Sequence, residues 1–158
     1  MTGARLSDID IQREDPRQDE VVRMLGMLDA CLQALYPPES NHILDINALC
    51  AADIRFFIAR RTGVAVGCGA LRIDSAGYGE IKRMFVRPDA RGERLGFAIL
   101  ARLEGQAVAE GLALLRLETG IHQHAALALY RAAGYVNCVP FGDYRHDPLS
   151  LYMEKRLH

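Results

Sequence analysis

Residues 86–97 have the sequence VRPDARGERLGF, an arginine- and glycine-rich segment between an apolar stretch and an amphipathic one. The spacing of Leu95, Ile99 and Leu103 predicts a helix directly after it. A helix start carries unpaired N–H groups and the positive end of the helix dipole, so it attracts anions. Glycine lets the backbone approach a ligand, and arginine pairs with phosphate oxygens. The segment therefore predicts a site for a pyrophosphate-bearing cofactor.

This segment differs from two common phosphate-binding motifs. A Walker loop needs Gly-Lys-Ser/Thr, which does not follow Gly92, and the dinucleotide fingerprint needs G-x-G-x-x-G after a strand. The segment instead resembles the pyrophosphate loop of the GCN5-related N-acetyltransferases (GNAT), Q/R-x-x-G-x-G/A. Arg91 takes the first position and Gly96 the last, whereas Arg94 stands where the family more often has glycine.

A second segment carries the same resemblance. Residues 128–135, ALYRAAGY, are similar to the family pattern L-Y-x-x-x-G-F/Y, with Tyr130 at its tyrosine position and Gly134 at its glycine. The two motifs and the order of predicted elements resemble the family over nearly the whole chain.

Composition limits the class of protein. The 158 residues are half hydrophobic, which favours one folded domain over residues 1–158. Nineteen basic and twenty acidic residues give a net charge of −1, which argues against a general nucleic-acid binder. No apolar run approaches the ~20 residues of a membrane span, and no signal peptide is evident. Four scattered cysteines without a C-x-x-C pair predict small buried residues in a reducing compartment, hence a cytoplasmic protein.

Hydrophobic periodicity predicts alternating strands and helices. Strands are expected at residues 7–12, 55–60, 65–73, 80–86, 114–118, 136–139 and 149–154, and helices at residues 21–35, from 95 to near 111, and 125–133. The strand–helix–strand unit from Glu80 to Glu118 predicts a right-handed parallel crossover. The fold class is therefore α/β. The resemblance implies a GNAT-type mixed, mostly antiparallel sheet with a central parallel strand pair and helices on both faces.

The strand at residues 80–86 leads directly into the arginine- and glycine-rich segment. Period-two alternation places Glu80, Lys82, Met84 and Val86 on one face and Ile81, Arg83 and Phe85 on the other. Gly67-Cys68-Gly69 in the preceding strand predicts a bulge or a close backbone contact.

The resemblance assigns most of the cofactor site, for which acetyl-CoA is expected. It implies that backbone groups of the strand end hold the cofactor arm and polarise the acetyl carbonyl, and that amides of the loop bind the pyrophosphate. Two residues before the last helix are weaker candidates. The expected cofactor-binding residues are Met84, Phe85, Val86, Arg91, Gly92, Glu93, Arg94, Leu95, Gly96, Phe97, Thr119 and Gln123.

Two residues are candidates for proton transfer. Many family members have a glutamate at the position of Glu80, which makes it the candidate general base, acting directly or through a water. The alternative is a structural acid neutralised by Lys82 or Arg83. Tyr130 is the candidate general acid for the leaving thiolate, and the alternative is an aromatic side chain that anchors its helix.

Substrate selection is assigned to two loops and the charged strand. The loops at residues 36–42 and 141–148 combine polar and aromatic groups, as specificity loops commonly do, although they could equally be ordered connections. The expected substrate-binding residues are Tyr36, Asn41, His42, Lys82, Arg83, Phe141 and Tyr144. His122 and His124 are too few for a metal site, so no metal is expected.

The resemblance thus implies an enzyme that transfers acetyl from acetyl-CoA to a primary amine of a small metabolite, by direct attack in a ternary complex. Two alternatives stay open: an acetyltransferase of protein lysines or N-termini, and a non-catalytic acyl-CoA sensor. No nucleic acid or membrane is expected as a partner, and a homodimer stays open.

Overall fold

The structure is a computed structural model that describes residues 8–157. The strands are β1 (Ile9–Arg13), β2 (Ile54–Arg61), β3 (Val64–Ile73), β4 (Gly79–Val86), β5 (Leu114–Gly120), β6 (Val136–Cys138) and β7 (Ser150–Arg156). The helices are α1 (Asp19–Leu35), α2 (Ile46–Leu49), α3 (Leu95–Ala109) and α4 (His124–Ala132). Short 3-10 turns occupy Pro38–Ser40 and Pro88–Ala90. Each predicted element is present with ends shifted by a few residues, and Ser7, the predicted start of the first strand, lies outside the described residues.

The strands form one seven-stranded sheet in the order β1-β2-β3-β4-β5-β7-β6. Its neighbouring strands are antiparallel except for β4 and β5, which run parallel because α3 crosses over between them. The predicted fold class, a mostly antiparallel mixed sheet with a central parallel pair, is confirmed.

Helices cover both faces of the sheet. On one face the apolar stripe of α1, with Val21, Leu25 and Leu28, packs on the centre of β2 and β3. On the other face α3 and α4 form the larger core, in which Ile99 and Leu103 are fully buried. The sheet therefore separates an α1 side from an α3/α4 side.

Two glycines of β3 let α3 lie close to the sheet. A Cβ atom at Gly67 would come within 2.9 Å of Ile99, and one at Gly69 within 2.8 Å of Met84 and 2.9 Å of Ile99. The register between β3 and β4 also shifts between Cys68 and Ala70. Both features predicted from Gly67-Cys68-Gly69, a bulge and a close contact, are confirmed.

The bulge changes which side chains of β4 share a face. Arg83 has φ +57°, a left-handed conformation that interrupts the pleat. Ile81 consequently packs in the α3/α4 core together with Met84 and Val86, whereas Phe85 packs in the α1 core. The predicted alternation through residues 80–86 is wrong beyond Lys82, because the extra residue reverses the parity of the strand.

The cysteines differ from expectation in their burial. All four are free thiols, but only Cys68 is buried, while Cys31 is exposed and Cys50 and Cys138 are half-buried. Burial raises the pKa of the Cys68 thiol to about 12. Between residues 8 and 157 no helix is both long and apolar enough to cross a membrane.

Candidate active site

The centre of the sheet contains a gap between its two parallel strands. β4 and β5 pair only through Gly79–Ile81 and Leu115–Leu117. Beyond these residues β4 continues to pair with β3 and β5 with β7, so their facing edges separate. The strands thus have a paired half and an open half, and the open half leaves backbone groups available to a ligand.

The start of α3 lies directly after this open half. The backbone amides of residues 94–97 have no hydrogen-bond acceptor within the described part of the chain. Gly92 has φ +85°, and a Cβ there would meet nothing within 4 Å, so the loop is open to an approaching group. The unpaired amides and the dipole of a 15-residue helix fit a diphosphate.

Arginines flank these amides. Arg94 is the residue that precedes α3, and it has φ +60° and ψ 22°, the left-handed conformation that glycine adopts without strain. Its guanidinium lies over the Phe97 ring, and that of Arg91 lies over the Phe85 ring. Arg94 therefore holds a conformation that favours glycine and places a positive charge beside the start of α3.

A cavity of about 100 Å³ lies at the open half of the two strands. It has room for several waters or a small acyl group. α1 and the loop after it line one side, and β5 and α4 line the other, so the cavity reaches both faces of the sheet. Its wall combines apolar side chains with a small number of charged ones, as ligand sites typically do.

Glu118 is the acidic residue of this wall, and the sequence analysis did not select it. Its Oε2 is buried and has no hydrogen-bond partner in the described structure. Burial raises the pKa of Glu118 to about 7; Glu80 and Asp147 act in the same direction, and Lys82 opposes them. A carboxyl group with this pKa can accept or donate a proton near neutral pH. The signal in the sequence is its position at the end of a strand, twelve residues before Tyr130.

Tyr130 also lines the cavity, from α4. Its side chain is buried, and its hydroxyl makes no hydrogen bond to the described residues. Burial raises the pKa of Tyr130 above its ordinary value, and the nearby Glu118 carboxylate acts in the same direction. The phenol is therefore protonated at neutral pH and can donate to a ligand in the cavity.

Glu80 lies in the paired half of β4, and the cavity wall in the described structure does not include it. Its carboxylate is buried and has three partners: Arg72 Nη2 at 2.9 Å, the Tyr144 hydroxyl at 2.6 Å and Lys82 Nζ at 3.4 Å. The structure thus places the predicted base in a saturated polar cluster.

The predicted substrate-binding residues separate into two groups. Residues from the loop after α1 and from β4 line the cavity together; these are Tyr36, Asn41, His42, Lys82 and Arg83. Tyr144 lies behind Lys82, to which its hydroxyl is bonded at 2.7 Å. Phe141 packs in a separate cluster with Tyr78 and Tyr152, outside the cavity wall.

The predicted cofactor-binding residues also lie in different places. Met84, Thr119 and Gln123 line the cavity, and Gln123 Oε1 accepts the Gly120 amide at 2.9 Å. Glu93 forms an ion pair with Arg61. Leu95 is buried in the α3/α4 core, so only its backbone is available to a ligand.

Tyr36 closes one side of the cavity. Its ring lies against Gly120, where a Cβ atom would overlap the phenol. Its hydroxyl accepts the backbone amide of His122 at 3.0 Å, and the two rings stack with centroids 5.8 Å apart. His122 therefore has a packing role. Over residues 8–157 there is no group of three or more side chains that could hold a metal ion.

Comparisons with known proteins show the family of this chain. Residues 21–135 match the model of the acetyltransferase (GNAT) family. A protein of Azospirillum brasilense named IAA acetyltransferase is 53% identical over 153 residues, which cover 96% of this chain and 100% of that protein.

Solved structures show the same fold. A crystal structure from Klebsiella pneumoniae, described as a candidate acyl-CoA N-acyltransferase, is 38% identical with a TM-score of 0.81 over 95% of this chain and 98% of that one. The PaiA N-acetyltransferase of Thermoplasma acidophilum, in complex with coenzyme A, has a TM-score of 0.74 at 16% identity, over 94% of this chain and 99% of that one.

Proposed function

This chain belongs to the GNAT family of acetyltransferases, and we propose that it transfers acetyl from acetyl-CoA to a primary amine of a small metabolite. The observation that carries the proposal is the cavity in the open half of β4 and β5, which Glu118 and Tyr130 both line. Direct attack in a ternary complex requires these groups to act on two substrates bound together.

The start of α3 would hold the diphosphate of acetyl-CoA. The free amides of residues 94–97 supply donors, and Arg91 and Arg94 supply charge. Met84, Thr119 and Gln123 would contact the arm of the donor where it enters the gap. The coenzyme A complex of the PaiA relative, which has the same fold, supports this assignment.

Two side chains would move protons. The N–C bond to the acetyl carbon forms as the C–S bond breaks, so the amine must lose a proton and the sulfur must gain one. Glu118, whose pKa is about 7, would accept the amine proton, and Tyr130 would donate to the sulfur. Glu80, selected from the sequence, stays the competing candidate for the base, but its three partners favour a structural role.

The closed acceptor side favours a small substrate. The Tyr36 hydroxyl bonds to the His122 amide, which links the end of α1 to the end of β5 across the cavity. A protein substrate would need an open groove at this place. The name of the Azospirillum relative, IAA acetyltransferase, also favours a metabolite over a protein.

Thiol release from acetyl-CoA, measured against amines, amino acids and peptides, tests the proposal. We expect release with some small amines and none with peptides, and calorimetry should detect coenzyme A binding. Release with peptides alone would support protein acetylation. Tight coenzyme A binding without release for any acceptor would support the sensor.

A further inference from the structure

Arg83 is the most unusual charged residue of the cavity wall. Its side chain is only 4% exposed, yet it lines the cavity. The bulge at this residue reverses the pleat, and as a result Arg83 points toward α1, on the same side as Lys82. A buried guanidinium normally has its N–H groups bonded to acceptors, because leaving them unpaired is costly.

The donors of Arg83 are largely unused. Its Nε and Nη1 are buried and lack a hydrogen bond in the described structure. Nη1 lies 2.6 Å from Asp29 Oδ1, but the angle does not make a hydrogen bond for either atom. Asp29 therefore balances charge on one side of a guanidinium that can bind five acceptors.

Lys82, the other cation of the wall, is different. Its ammonium contacts the His42 carbonyl at 3.2 Å, the Tyr144 hydroxyl at 2.7 Å and Glu80 Oε2 at 3.4 Å. An ammonium has three donors; two of them have hydrogen-bond acceptors, and the Glu80 carboxylate balances the charge. Arg83, whose Nε and Nη1 have no hydrogen bond in the described structure, thus has more capacity for a ligand than Lys82 has.

We propose that the acceptor carries a carboxylate and that Arg83 binds it. A guanidinium matches a carboxylate through two parallel N–H···O bonds. Leu28 and Leu32 form an apolar part of the same wall, which suits an acceptor with an apolar side chain. The substrate class is therefore an amino acid or a related amino-carboxylate. This inference rests on the function proposed above and specifies its acceptor.

The test compares acids with their amides. Thiol release is measured for each of the twenty L-amino acids and its amide, with the wild type, Arg83→Gln and Arg83→Lys. For the best acid we expect Arg83→Gln to lower the acid-to-amide ratio of kcat/KM by tenfold or more, mainly through KM. Arg83→Lys should restore part of that ratio because it keeps the charge and loses the fork. Differences in amine pKa between acid and amide cancel, since both enzymes use the same two acceptors.

A variant with the opposite expected effect on KM distinguishes a binding role from a folding defect. Asp29→Asn removes the competing carboxylate, so it should lower KM for the acid several-fold. Arg102→Gln is the control, since Arg102 is an exposed residue of α3 outside the cavity wall whose guanidinium lies over the Phe57 ring, and it should leave the ratio unchanged. If Arg83→Gln lowers kcat/KM equally for acid and amide, or for neither, the acid-to-amide ratio is unchanged and the inference is overturned.

A binding measurement tests the inference even if no acceptor gives thiol release. N-acetyl-L-amino acids and N-acetyl-L-amino acid amides are added with coenzyme A, and thermal shifts are recorded for the wild type and Arg83→Gln. We expect at least one acid to stabilise the wild type more than its amide does, and Arg83→Gln to lose the difference. Acceptance of amines without preference for acids would refute this inference alone, whereas absence of turnover with retained acid binding would refute the proposed function alone. No stabilisation by any acid would refute the inference.

Discussion

The paired and open halves of β4 and β5 give an acidic side chain opposite environments: one supplies hydrogen-bond partners and the other leaves an oxygen without one. In the paired half, Glu80 is buried among Arg72, Lys82 and Tyr144, and each carboxylate oxygen has partners. In the open half, Glu118 is half-buried, its Oε2 is buried without a hydrogen-bond partner, and desolvation raises its pKa to about 7.

The difference shows how the same residue type acquires different roles. Buried polar groups with complete partners stabilise one conformation, and their protons are not available for exchange. A carboxyl group with a buried, unpartnered oxygen costs stability, so it marks a position where a ligand can supply the missing contact. The following predictions test whether the open half carries the chemistry and the paired half carries the structure.

Tyr130→Phe should have the largest effect. Loss of the hydroxyl removes the proposed acid while the ring keeps its place in the core, so turnover should fall by about 10²–10⁴. Thiol release at saturating substrates measures turnover, and calorimetry should show unchanged coenzyme A affinity. Tyr135→Phe is the matched control, because Tyr135 is also buried but its hydroxyl is directed to Glu104. Near-normal turnover in Tyr130→Phe would exclude the role.

Glu118→Gln should lower kcat/KM by roughly 10² and change its pH dependence. The wild-type rate should rise with pH through about 7, because a base acts in its deprotonated form and the pKa of Glu118 is about 7. The variant should lack this limb. If the rise of the rate with pH is absent in Glu80→Gln and present in Glu118→Gln, Glu80 is the base. The proposed difference between the open and paired halves would then be wrong.

The same group should make stability depend on pH. The folded pKa of Glu118, about 7, exceeds its ordinary value of 4.5, so the folded state holds this proton more strongly than the unfolded state. Its contribution is fully present below pH 4.5 and is lost as the pH rises through 7. Glu118→Gln should therefore be more stable than the wild type at pH 8 by roughly 1–3 kcal/mol, with the two closer at pH 5. Thermal unfolding at both pH values measures this, and a less stable variant at pH 8 would contradict it.

Glu80→Gln should lower the stability of the fold rather than change the catalytic pH profile. The substitution weakens buried bonds to Arg72 and Tyr144, which should cost roughly 1–3 kcal/mol. Thermal unfolding measures the loss, and turnover of the folded variant should keep the wild-type pH profile. Glu154→Gln is the control: Glu154 pairs with Arg116 at a more exposed position, so its loss should stay within about 0.5 kcal/mol. A fully stable Glu80→Gln would contradict the structural role.

Arg94→Gly should have the smallest effect. Glycine relieves the left-handed conformation at this position but adds flexibility to the unfolded chain, so the net change should be within about 1 kcal/mol. Removal of one charge beside the free amides should weaken coenzyme A binding by less than about tenfold. Calorimetry measures this, and a loss above a hundredfold would mean that the arginine, rather than the backbone, holds the diphosphate.

The two halves also differ in how well the sequence predicts them. The loop at residues 86–97 depends on local turn and helix chemistry, so its glycines and apolar spacing predicted its structure. Tyr130 was predicted from its motif, and the structure places it at the cavity. The bulge at Arg83 was not predicted at its position, because any residue could occupy that conformation at some cost. Glu118 was missed since its unpartnered environment depends on the separation of two strands, which no local pattern encodes.

The gap between β4 and β5 passes through the whole thickness of the sheet. α1 and the loop after it border the gap on one face and α4 borders it on the other, so the cavity joins the two helical layers through the sheet. In the proposed reaction, a donor bound beside α3 and an acceptor bound on the α1 side would meet inside the sheet. The proposed direct transfer would then need no intermediate carrier of the acetyl group.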